Sequence, residues 1–245
     1  MPGLTFTSLA AISTLLGGWI ALRGRRHIHL LLGFGAGVLL GATFFDLLPE
    51  AISAANGYGW TTRKELAMVI VGFFLFYLAE RFLVLHACPT GDCEREVHRH
   101  LGRLSALGLI AHSIVDGASI TAATLLSWHT GLIVALGIVA HDFSDGLNTM
   151  LLVTRGEPAG RKDYFFLVAD AIAPVIGGII LVESRFSGQQ LGIFLGLTAG
   201  FFLFTATGDL LPDAHRRSPS FAVTAAAVIG LAFIGGAVRL ITTMW

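Results

Sequence analysis

Eight stretches of about twenty mostly apolar residues follow one another along this chain, joined by short polar connections. A hydrocarbon core about 30 Å thick takes ~20 residues of helix to cross, so no other feature limits the fold as much. The stretches run over roughly 4–22, 28–52, 65–87, 104–127, 130–153, 164–183, 189–213 and 220–241. In lipid, backbone amides and carbonyls have to be satisfied within the segment, which predicts helices. Only 13% of the 245 residues are charged, against about 25% in soluble domains, too few to coat a water-facing globule. The expected class is an all-α polytopic membrane protein, a single transmembrane domain over 1–245 without a separate soluble domain.

The connections hold most of the charge. Those after the first, third, fifth and seventh segments hold eleven basic residues: Arg23, Arg25, Arg26, Arg95, Arg99, Arg103, Arg155, Arg161, Lys162, Arg216 and Arg217. The opposite side holds Arg63, Lys64, Arg185 and Arg239. The excess of Arg and Lys marks the cytoplasmic side, which puts both termini outside the cytoplasm, as in a protein of the inner membrane, and makes 88–103 a cytoplasmic loop. A formal net charge of zero argues against nucleic acid as a partner, because phosphate binding needs a basic excess. No cleavable signal peptide is expected, since the basic run follows the first apolar stretch. Two cysteines do not make a disulfide framework.

Segment two contains "FFDLLPEA" and segment seven "TGDLLPDA", identical at five of eight positions. Segments that alternate up and down make two and seven antiparallel, and matching motifs on antiparallel helices are the mark of an inverted repeat. The expected arrangement is 3+2+3: segments one to three, a central pair, then six to eight.

That central pair holds the chemistry. "AHSIVDG" in segment four and "AHDFSDG" in segment five each place a histidine and an aspartate four residues apart. Residues i and i+4 share a helix face, so His112 projects with Asp116 and His141 with Asp145. Two such faces turned toward each other give two imidazoles and two carboxylates, a full shell for a divalent cation. Asp142 lies ~100° round the helix from His141, placed for a neighbouring ion or for binding through water. Gly117 and Gly146 follow the aspartates, and small residues let helix backbones approach closely. Ionisable side chains in the bilayer cost roughly 2.5–3.5 kcal/mol each on insertion scales and tend to be functional.

Asp46 and Asp209 are each followed three residues on by proline, Pro49 and Pro212, and Asp170 precedes Pro174 by four. Proline frees a carbonyl and kinks a helix, so these carboxylates read either as gates or relays on an ion path or as partners of the freed backbone. The stretch "HACPTGDCEREVHRH" offers His86, Cys88, Cys93, His98 and His100, a capture or regulatory metal site or a solvated polar loop. Its C-x4-C spacing is not that of a standard zinc finger.

At these residues the chain resembles the ZIP family of divalent metal transporters. That family carries HNxxD/EG in its fourth segment, HNxPEG or a relative in its fifth, and carboxylate-Leu-Leu-Pro motifs in the second and seventh. The resemblance implies eight helices in a 3+2+3 inverted repeat, a binuclear site between segments four and five, and metal movement toward the cytoplasm. It maps His112 and Asp116 onto the fourth-segment ligands and His141, Asp142 and Asp145 onto the fifth. Ser113 replaces the usual Asn, exchanging a carbonyl for a weaker hydroxyl ligand. Val115 and Ser144 stand where many members have proline, Asp145 where Glu is common, and Ala173 where many bacterial members place Glu before Pro. The second ion site is therefore weak, absent, or served by Asp170.

The expected function is transport of zinc or another divalent metal (iron, manganese, cobalt or cadmium) through the His/Asp site by alternating access. The protein is not read as an enzyme. An intramembrane zinc-dependent hydrolase is the alternative, against which the chain has no HExxH. The expected partners are the metal ion and the bilayer, with a homodimer as the assembly to test for.

Overall fold

The computed structural model describes residues 2–56, 61–87, 94–126, 128–183 and 188–243. Among them the backbone is helical nearly throughout and holds no strand. α1 (Pro2–Arg23) leads through a 3-10 turn, Gly24–His27, into α2 (Ile28–Ala42), a π-helical segment Thr43–Leu47 and α3 (Leu48–Asn56). α4 (Thr62–Ala87), α5 (Glu94–Leu126), α6 (Trp128–Thr154) and α7 (Arg161–Glu183) follow. Then come α8 (Gly188–Phe204), a second π-helical segment Thr205–Leu210, α9 (Leu211–Arg217) and α10 (Phe221–Thr243). Among the described residues, six stretches are long and apolar enough to cross a membrane: Gly3–Arg23, Ile28–Ser53, Gly102–Leu125, Arg161–Ile180, Gly192–Arg217 and Phe221–Leu240. The connection expected over 88–103 is in part helix, because α5 begins at Glu94.

The two Asp-Leu-Leu-Pro motifs adopt the same local structure. Asp46 lies in the first π segment and Asp209 in the second. Proline lacks the N–H that an α-helix needs and its ring crowds the carbonyl four residues back. In both motifs the residue before the proline donates instead to the carbonyl five back: Leu48 N–H to Thr43, and Leu211 N–H to Ala206. Where the sequence predicts a kink, the helix holds a widened turn, a feature frequent at functional sites.

The helices gather into two compact units that do not follow chain order. One contains α1, α5 from Gly102 onward, α6, α7 and the end of α10. There α1 packs on α6 and α7, and α6 on α7, around Leu109, Ile120, Leu147, Met150 and Leu151. The other contains α2 from Leu32, α3, α4, α8, α9 and most of α10. In it α8 packs on α3 and α4, with Leu32, Leu39, Leu195, Phe201 and Phe202 buried.

Their outer surfaces are apolar. Ile70, Phe74, Leu78 and Phe82, spaced four apart along α4, are all more than half exposed, as are Phe165 and Ile179 on α7. Water-soluble monomers rarely expose contiguous patches of this kind. In the first unit the polarity runs inward: Thr7, Thr14, Ser105, Ser113 and Asn148 are buried, as are the histidines and aspartates of the central pair.

Candidate metal centre

The i, i+4 spacing does locally what the sequence requires. His112 and Asp116 leave the same face of α5, and His112 Nε2 lies 3.2 Å from Asp116 Oδ2. From α6, His141 Nε2 lies 3.2 Å from that same oxygen. The two imidazoles are 5.8 Å apart at their centroids and inclined by 28°. With Asp145, one ligand atom from each of the four residues lies within 4.8 Å of the others, and all four are buried. Zinc–ligand bonds of 2.0–2.2 Å in a tetrahedron put neighbouring donors roughly 3.3–3.6 Å apart. The donor atoms therefore stand near coordination spacing and need only small adjustments to close on one ion.

Asp142 is 0% exposed, and neither of its carboxylate oxygens accepts a hydrogen bond among the described residues. Its Oδ1 lies 3.8 Å from His141 Nε2, at the edge of the shell the other four define. Burying a carboxylate without a partner is costly. Among the described buried residues there is no lysine or arginine, so the only cationic side chains beside these acids are the imidazoles of His112 and His141 when protonated, and further compensating charge has to come from elsewhere. A divalent cation held by the quartet would supply it.

Ser113 and Asp170 are brought together, but as partners of each other. Ser113 Oγ sits 3.1 Å from the Leu109 carbonyl, the α-helical back-bond, and 2.9 Å from Asp170 Oδ1, to which it donates. Thr149 Oγ1 donates to Asp170 Oδ2 at 2.7 Å. Both oxygens of this buried carboxylate thus accept from hydroxyls, one on α5 and one on α6, while Asp170 itself stands on α7. Thr149 escaped the reading of the sequence. Its signal was the spacing, four residues beyond Asp145 on the face already assigned to the site.

The glycines act between other helices than expected. A Cβ on Gly117 would fall 1.7 Å from the Pro174 carbonyl oxygen of α7, and one on Gly146 would fall 1.9 Å from the Thr14 carbonyl oxygen of α1. They press the outer helices onto α5 and α6 and do not face each other. Asp46 and Asp209 are partly buried in the π segments of the other unit. Cys88 and Cys93 lie outside the described residues, as do the side chains of His86, His98 and His100.

Comparison with known proteins agrees with these motifs. The sequence model of the ZIP zinc transporter family matches residues 1–104, the helices that precede the His/Asp pairs. Curated relatives match nearly end to end. The zinc transporter ZupT of Escherichia coli O7:K1 is 25% identical over 260 residues, covering 98% of this chain and 97% of the relative. ZupT of the K12 strain DH10B matches at the same identity and coverage. The resemblance to the ZIP family read from the motifs is borne out.

Proposed function

Taking the chain as a relative of the ZIP zinc transporters, we propose that it carries divalent transition-metal cations across the inner membrane, zinc foremost, and is a transporter rather than an enzyme. The observation that carries this reading is the buried quartet of His112, Asp116, His141 and Asp145 on two packed helices of an otherwise apolar chain. Asp142 is its fifth donor, directly bound or through water. Iron(II), manganese, cobalt and cadmium suit the same mix of imidazole and carboxylate and are the competing substrates.

In this reading eight helices span the bilayer in a 3+2+3 inverted repeat. Support comes from the matching widened turns at the two Asp-Leu-Leu-Pro motifs. It comes also from the units themselves: α1 joins α7, and α4 joins the last helix, so each unit draws from both triplets. Both termini lie outside the cytoplasm, metal moves inward by alternating access, and the protein works as a homodimer. The ion sheds its water as the ligands take over. Because those ligands bind in deprotonated form, metal affinity falls as they take up protons, which gives a route to release.

Asp170 belongs to this reading as a strut that ties α7 to the two ligand helices. Asp170→Ala returns Ser113 to the Leu109 carbonyl and leaves Thr149 without its acceptor. A lost bond to a charged group costs about 1.5–3 kcal/mol. The expected result is a lower melting temperature and slower uptake, with one bound metal per chain retained when stoichiometry is measured by elemental analysis. Loss of the bound ion itself would make Asp170 a ligand.

The reading is tested in proteoliposomes holding a luminal zinc indicator, with lipid and peptide cleavage followed in the same vesicles. Zinc accumulates without cleavage if the protein is a transporter. Cleavage without accumulation would mean the hydrolase, and binding without either would mean a sensor.

A further inference from the structure

The second unit holds a cavity apart from the His/Asp quartet, which lies in the first. Its volume is about 510 Å³, and it lies between α4 and the π segment that follows α8. Phe73 and Tyr77 of α4 form the floor, with ring centroids 5.6 and 6.3 Å from Phe204. Thr207 and Gly208 of the widened turn close one side, and Glu80 and Arg81 stand at one end. Phe74, also on the rim, belongs to the outward apolar stripe of α4, so the cavity opens onto that stripe.

We propose that this cavity binds a zwitterionic phospholipid, with its phosphodiester on Arg81, its ammonium beside Glu80, and the start of an acyl chain along the aromatic floor. Three observations choose this occupant. Arg81 lies nineteen residues beyond Thr62 in one helix, about 28 Å along the axis at 1.5 Å per residue. That is the thickness of the hydrocarbon core, which places the charged end of the cavity at headgroup depth. The Arg81 guanidinium carbon sits 5.5 Å from the Tyr77 ring centroid, a pairing of aromatic body and cationic tip suited to an interface. Tyr77 also takes a hydrogen bond from the guanidinium, whose remaining N–H groups face a phosphate at headgroup depth. The adjacent Glu80 carboxylate opposes a net anionic head and accepts from an ammonium. The cavity's volume falls in the range of small-molecule sites.

The test is native mass spectrometry of the full chain in detergent, with dioleoyl phosphatidylethanolamine, the matching phosphatidylglycerol, or inorganic phosphate added at equal concentration. The ethanolamine lipid is expected to be retained at least five-fold more than the glycerol lipid. Arg81→Gln is expected to lower that retention at least five-fold. So is Thr207→Trp, which fills the cavity from an exposed position whose side chain, among the described residues, bonds to the Leu203 carbonyl. Zinc binding at the His/Asp quartet is expected to be unchanged in both variants. Equal retention by wild type and Thr207→Trp overturns the proposal, as does equal retention of the two lipids. Displacement by inorganic phosphate alone would make this a small-anion site and overturn the lipid. If Arg81→Gln does not fold, Thr207→Trp decides.

Discussion

Replacing His112 or Asp145 by alanine abolishes zinc accumulation in proteoliposomes while the helices and their packing persist. Each substitution takes one donor from a set whose atoms lie within 4.8 Å of one another. Losing an outer partner of a metal ligand costs about 10–100-fold in affinity, and losing a ligand itself costs more, so binding should weaken at least a hundredfold. Folding is spared because Asp116 keeps His141 at 3.2 Å when His112 is gone. Asp145→Ala removes a buried charge and leaves the α5–α6 contact through Asp116 and His141 in place. Asp142→Ala is the graded companion: from the edge of the shell it should fall within the 10–100-fold range. Calorimetric zinc titration beside circular dichroism and uptake separates binding from folding. Uptake at the wild-type rate in both alanine variants would reject the quartet as the transport site.

A side chain at Gly117 is expected to be as severe, through a different cause. The Cβ would stand 1.7 Å from the Pro174 carbonyl oxygen, and the obstacle is backbone, which has no rotamer to change. α5 and α7 would have to part by more than an ångström, dragging Asp170 from Ser113 and Thr149. Overpacking typically costs 1–3 kcal/mol, and the upper end of that range corresponds to roughly 10 °C in a chain of this size. Gly117→Val should therefore lower the melting temperature by about that much and reduce the yield of monodisperse protein. Gly236, where a Cβ meets nothing within 4 Å, is the control. Gly236→Ala should be neutral or slightly stabilising, as alanine is the better helix former. A Gly117→Val protein that melts with the wild type would show that the two helices are not in close contact.

Much of this was legible because two periodicities are strong. Runs of about twenty apolar residues give the helices, and four-residue spacing gives the His/Asp faces. What the sequence could not carry were choices made between helices. Gly117 and Gly146 look alike in the chain, and nothing local says that one packs on α7 and the other on α1. Ser113 stands where a ligand to a second ion is expected, yet its hydroxyl is engaged by an aspartate 57 residues away. Thr149 is an ordinary buried threonine until that same aspartate gives it a role. Pro49 and Pro212 announce a disturbance in the helix, but whether the ladder breaks, bends or widens depends on which carbonyl the preceding amide can reach. The two units interleave distant parts of the chain, so their membership is invisible in residue order. The beginning of α5 at Glu94 was hidden by a polar composition that reads as loop.

The absence of lysine and arginine among the described buried residues has a bearing on leakage. A site whose described buried neighbours are carboxylates and imidazoles, with no lysine or arginine in the buried class, would disfavour chloride and phosphate by sign alone. On the proposed transport reading, discrimination would fall into two stages, with charge deciding what enters and the imidazoles deciding what stays. A lysine placed at Asn148, buried three residues beyond Asp145, would strike at the first stage without removing any of the four donors.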